Sequence, residues 1–183
     1  MSFILSKPSS VTQQLKKIQA KVIDEKKSFI MFVHAEWCGY CRMMKPEWNK
    51  FVKHAKHEAK EEEKEEEKEK EEKGDEKKRK KLWSNVALIE IKDEVVSEIM
   101  KEKGEEKEKE KKKEKEGSML KTIIQNTVSG YPTIVLAIQN PIKNTVQVVM
   151  FEGERTAEGL GEFLKQHKSE IQKRKSSNIR KKA

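Results

Sequence analysis

The run Ser28 to His34 (SFIMFVH) constrains this chain most, because it is apolar through its interior, rich in aromatic and branched residues, and short. A segment of that kind reads as a central, buried strand of a layered sheet rather than as a helix. The motif WCGYC comes directly after it, and Met44, Trp48, Phe51, Val52 and Ala55 then recur at helical spacing. The cysteines therefore stand where a buried strand hands over to a helix. A cysteine in the first turn of a helix faces unpaired N–H groups and the positive end of the macrodipole, and both stabilise a thiolate. Cys38 is so placed. Cys41 lies one turn further in and can reach the same sulfur, so a mixed disulfide between Cys38 and a client is resolved internally.

The remaining pattern organises around this junction. Ser2 to Leu5 reads as a short strand, and Val11, Leu15, Ile18 and Val22 give a first helix over about residues 10 to 25, with Pro8, Ser9 and Ser10 supplying a turn and an N-cap. Asn85 to Ile91 reads as a strand and Asp93 to Lys103 as a helix facing inward through Val95, Val96, Ile99 and Met100. Ordered sequence resumes at Leu120 to Val128. Thr133 to Ile138 and Thr145 to Phe151 then form a hairpin around Asn140-Pro141, and a closing helix runs from Thr156 to about Ile171. Trp48 and Trp83 read as core or helix-packing residues.

Charged residues make up 40% of the chain, and their location decides what they mean. Lys53 to Lys81 holds twelve basic and twelve acidic residues, and Lys101 to Glu116 eight and seven, so neither run is a basic patch. Both read as solvated, low-complexity insertions, at 53–81 and 101–117. Within the first, Lys/Glu pairs four apart support a frayed, exposed helix. Removing both runs and the basic tail 173–183 leaves about 125 residues in the order β-α-β-α-β-α-β-β-α, one layered α/β domain over residues 1–172. The N-terminus lacks the pattern of a secretory signal and no segment approaches a membrane span, so a cytoplasmic protein with no membrane partner is expected. In a reducing compartment a CxxC pair points to redox chemistry rather than to a lasting structural disulfide.

Zinc is the rival reading, since Cys38, Cys41, His54 and His57 give C-x2-C-x12-H-x2-H. The last gap is one residue short, and Cys41 and His54 on one helix stand about 20 Å apart. No metal and no organic cofactor are expected; the thiols carry the electrons.

WCGYC, Pro46 in the helix after it and Gly130-Tyr131-Pro132-Thr133 together resemble the thioredoxin and protein disulfide isomerase family. The resemblance implies a thioredoxin fold, three-layer α/β/α about a central mixed sheet of four or five strands, and thiol-disulfide exchange with protein thiols or disulfides. It implies that Cys38 attacks and Cys41 resolves, that Pro132 is cis and binds client backbone, and that Trp37 and Tyr131 form the docking face. Phe151 to Leu164 resembles the end of an isomerase catalytic domain, and by that resemblance Arg155 approaches Cys41 and lowers its pKa. The family has a buried Asp or Glu six residues before the first cysteine, and this chain has Phe32 there. His34 and Glu90 are the expected substitutes, acting through water, with slow deprotonation of Cys41 as the consequence.

An upstream reductase or a sulfhydryl oxidase is the implied redox partner, according to direction. The alternative is a binding module that keeps the fold as a scaffold, with the charged helices and the tail as its contact surface. The tail has six Lys or Arg after Ile171 but no interleaved aromatics, so any nucleic acid contact is nonspecific and salt-sensitive. The Lys, Glu, Asn and Ile bias fits an AT-rich genome, and cytoplasmic oxidoreductases of this kind occur in large DNA viruses, which would add the virion as a location.

Overall fold

The computed structural model describes residues 1–6, 11–25, 27–73, 81–105, 119–140 and 145–172. The elements are β1 (Ser2–Leu5), α1 (Val11–Ile18) continued by a π-helical turn (Gln19–Asp24), β2 (Ser28–His34), α2 (Gly39–Lys73), a 3-10 turn (Trp83–Asn85), β3 (Val86–Lys92), α3 (Asp93–Glu105), α4 (Met119–Thr127), β4 (Thr133–Asn140), β5 (Thr145–Met150), α5 (Ala157–Gln166) and α6 (Lys168–Gln172). The five strands form one mixed sheet in the order β1-β3-β2-β4-β5. β3 runs parallel to both β1 and β2, while β4 runs antiparallel to β2 and to β5.

Alternation along the strands decides which layer each residue enters. Phe29, Met31 and Val33 of β2, Ala87, Ile89 and Ile91 of β3, and Val135 and Ala137 of β4 face the layer built by α1, α3 and α4. Ile30 and Phe32, Val86 and Leu88, and Ile134, Leu136 and Ile138 face the layer of α2, α5 and α6. All seven residues of β2 are buried. Burying one such large side chain contributes about 1.5–3 kcal/mol, so a strand filled on both faces is held in register by many of these terms at once.

α2 crosses the second face with Met44, Trp48, Phe51 and Ala55 inward. Its packing continues into the charged run: Ala55 is 4% exposed, and Ala59 packs against the same core. Further along, the Glu62 carboxylate accepts backbone N–H groups from Leu82, Trp83 and Ser84 at 2.8, 3.1 and 2.9 Å, and the Ser84 hydroxyl at 3.0 Å. The departure from the domain expected at residue 53 therefore comes only after Glu62. The second charged run beyond Glu105, the basic tail, the Pro8–Ser10 turn and the Pro141 turn lie outside the described residues.

The closing helix differs from expectation. His167 leaves helical ψ, with φ −91° and ψ 9°, and the chain restarts as α6. His167 Nδ1 meets Glu170 Oε2 at 2.9 Å across this break, and Ile171 still reaches the core. Thr156 caps α5 by accepting the Gly159 N–H at 3.0 Å, and Glu47 of α2 accepts the Ala157 N–H at 3.0 Å, tying α5 to α2.

Removing the Glu62 carboxylate leaves three backbone donors without their acceptor. Glu62→Ala is expected to lower unfolding stability by about 2 kcal/mol in a urea titration. A change below about 0.5 kcal/mol would show that solvent replaces the carboxylate.

Candidate active site

β2 and β3 are parallel, with His34 opposite Lys92, so the segments that leave their C-terminal ends emerge at the same end of the sheet. After β2 come Trp37, Cys38 and the first turn of α2; after β3 comes Asp93, the first residue of α3. Cys38 occupies the N-cap position of α2. Its carbonyl accepts the Arg42 N–H at 3.1 Å, and its Sγ accepts the Cys41 N–H at 3.3 Å. Sulfur thus takes the place that a serine or aspartate oxygen takes in an ordinary cap.

The two thiols are set apart by this geometry. Hydrogen bonding to Cys41 lowers the Cys38 pKa; burial opposes it, and the backbone N–H groups of Cys41 and Tyr40 add to the lowering, which prevails. Cys41 is 1% exposed, and burial pushes its pKa up to about 11, reinforced by the Cys38 thiol and the charge of Asp93. Cys38 is therefore the more readily ionised of the two thiols, and Cys41 the less. Both are free thiols here.

The face around them is apolar. Trp37, Tyr40 and Met43 are 71%, 70% and 75% exposed. The Tyr131–Pro132 peptide bond is cis, and Cys38 Sγ lies 3.6 Å from the Tyr131 carbonyl oxygen. The Tyr131 side chain packs against Ala35, Cys38 and Cys41, and meets the Trp37 ring edge-on with centroids 5.7 Å apart. The structure thus gathers Trp37, Cys38, Cys41 and Tyr131 at one place.

The positive charge of Arg155 is the last of the effects that help to lower Cys38, and Cys41 feels the negative charge of Asp93. His34 and Glu90 are brought together, Nε2 to Oε1 at 3.0 Å, but not as a free proton acceptor. The Lys45 ammonium also donates to Glu90 Oε1, and Trp48 Nε1 donates to Oε2 at 3.2 Å. Burial pushes this carboxyl upward, but hydrogen bonds from His34 and Lys45 and the Lys45 charge outweigh it and bring its pKa to about 2. Glu90 is therefore an anchored anion that ties α2 to β2 and β3. The Phe32 ring stacks on His34, centroids 4.9 Å apart, and occupies the space beside it.

For zinc, α2 is continuous from Gly39 to Lys73, which separates Cys41 from His54 by about 20 Å. His54 rests on the Trp83 ring instead, centroids 5.3 Å apart.

Two neighbours of the site, Lys45 and Asp93, escape a reading of the sequence. Lys45 carries no signal among the many lysines. Asp93 does carry one, because a residue just past a strand parallel to β2 arrives beside the start of α2.

The thioredoxin family model matches residues 9–81, the segment holding β2, both cysteines and α2. Two crystal forms of ERdj5 superpose on the chain. Form II gives a TM-score of 0.51 at 13% identity, covering 94% of this chain and 15% of that one. Form I gives 0.51 at 12% identity, covering 93% and 15%. The chain has a thioredoxin-like fold. Protein disulfide isomerase-like 1-4 of Oryza sativa subsp. japonica is 37% identical over 41 residues, 22% of this chain and 7% of that protein. The chain thus spans only a small part of the length of these relatives. The thioredoxin-like domain has the expected layers, with five strands and helices on both faces.

The folded-state pKa of Glu90 is depressed, so its contribution is present above the ordinary carboxylate range and is lost as pH falls from 4.5 through about 2. Stability measured by urea titration is expected to drop by up to about 3 kcal/mol over that window in the native chain. In Glu90→Gln the same window should be nearly flat. An equally steep loss in the variant would assign the acid sensitivity to other carboxylates.

Proposed function

We propose that this chain is a protein thiol-disulfide oxidoreductase in which Cys38 attacks and Cys41 resolves. The observation that carries the reading is the Cys38 sulfur at the N-cap of α2, accepting the Cys41 N–H at 3.3 Å. A thiolate there is stabilised before any client arrives. In the first step the Cys38 thiolate forms a bond to one sulfur of a client disulfide, and the other client sulfur leaves as a thiolate. In the second, Cys41 attacks Cys38, and the first client sulfur leaves in turn. The reverse sequence oxidises a client dithiol.

The apolar rim of Trp37, Tyr40 and Met43 suits extended client chains, and the carbonyl of Tyr131, ahead of the cis Pro132, lies 3.6 Å from the attacking sulfur. Direction depends on the reduction potential. Thioredoxin lies at about −270 mV and protein disulfide isomerase at about −180 mV, so a value near the first makes the chain a reductase served by an upstream donor. A value near the second pairs it with a sulfhydryl oxidase.

Cys38→Ser is expected to abolish reduction of a disulfide-bonded protein such as insulin. Cys41→Ser is expected to accumulate a covalent client adduct, seen by mass spectrometry without reductant. Undiminished turnover in Cys38→Ser would remove the enzyme reading.

A further inference from the structure

The resolving step requires Cys41 to lose a proton, although burial holds this thiol at about 11. A group that accepts the proton is therefore needed, and of the carboxylates at this end of the sheet Glu36 is paired with Lys92. Glu90 has both oxygens engaged, by His34, Lys45 and Trp48. Asp93 differs: it is half-buried at the first position of α3, and its Oδ2 accepts the Trp37 Nε1–H at 2.7 Å. Trp37 in turn packs on Tyr131, whose ring lies against Cys38 and Cys41. The Asp93 carboxylate is thus tied to the side chain of Trp37, the residue directly before Cys38.

We propose that Asp93 is the positioning carboxylate of the resolving step, accepting through solvent the proton that Cys41 loses before its sulfur attacks Cys38. This rests on the thiol-disulfide reading above. The groups around the pair agree with it. The charge of Asp93 acts on both Cys41 and the Tyr131 phenol, raising each alongside the effect of burial. The basic group acting on the thiols is Arg155, and its effect is on Cys38. The neighbouring Lys92, on the residue before Asp93, is engaged by Glu36.

The step balances within the molecule. The Cys41 S–H bond breaks and its proton passes to the Asp93 carboxylate. A Cys41–Cys38 bond forms while the Cys38–client bond breaks, and the electron pair leaves on the client sulfur. Protonated Asp93 returns its proton to solvent or to that thiolate. One disulfide is lost and one is made, so no outside oxidant or reductant enters.

The two roles open to a nearby carboxylate predict opposite signs. If Asp93 acted only through its field, neutralising it would lower the Cys41 pKa and speed resolution. If it takes the proton, neutralising it slows resolution. Reaction of the reduced full-length chain with Ellman's reagent separates the steps, since the first thionitrobenzoate released reports attack by Cys38 and the second reports resolution by Cys41. Asp93→Asn keeps an acceptor for Trp37. It is expected to leave the first phase unchanged and to slow the second about tenfold at neutral pH. Its second phase should also rise with pH in step with the Cys41 thiolate, where the native chain should show a shallower dependence. Asp93→Glu, which restores the charge, should recover most of the rate. An unchanged or faster second phase in Asp93→Asn overturns the assignment. Absence of the first phase in the native chain would instead remove the thiol-disulfide reading and this role with it.

Discussion

Burial of β2 on both faces is the constraint on which the site depends. A strand packed by Phe29, Met31 and Val33 below and by Ile30 and Phe32 above cannot slip by one residue without exchanging the two sets. Its end is therefore fixed, and so is the point where α2 begins. Because α2 is anchored by Met44, Trp48 and Phe51 on the upper face, its first turn cannot rotate away from the sheet. The Cys38 sulfur is held against the Cys41 N–H as a result of packing that lies well below it.

Two carboxylates near this junction are treated oppositely by their surroundings. Glu90 shares the α2 face of the sheet with Phe32 and His34, and its donors come from both the strand and the helix. A buried anion with both oxygens engaged is a structural tie, and removing one partner from such a group is far costlier than the pair is worth. Asp93 stands outside that layer, with Trp37 as its partner and solvent at hand. The chain thus keeps a charge buried beneath α2 while leaving a different carboxylate near the thiols.

The architecture is legible where local pattern and packing agree. Ser28 to His34 is a strand with the bounds its composition implies, and β3 begins one residue later than expected because Trp83–Asn85 closes a 3-10 turn first. The cysteine pair is legible for the same reason, since its position between strand and helix is a matter of sequence order. The features that escape depend on contacts across long separations. Glu62 is one glutamate among many until Leu82, Trp83 and Ser84 come to lie beside it. Which of two sulfurs one helical turn apart feels the charge of Arg155 is likewise a matter of tertiary packing, which local pattern does not carry. His34 and Glu90, expected as proton acceptors through water, instead pair with each other, and Lys45 and Trp48 take up the remaining capacity of the carboxylate.

The Glu62 clamp also has a consequence for how this gene can change. It joins the chain on its way out along α2 to the chain on its way back into β3, so the two ends of the intervening segment meet at a fixed neck. Closing a loop at such a neck depends only weakly on its length, with about 0.6 kcal/mol for each doubling. Lengthening or shortening the lysine- and glutamate-rich tract between residues 63 and 81 would therefore change the entropy of closing that neck only a little.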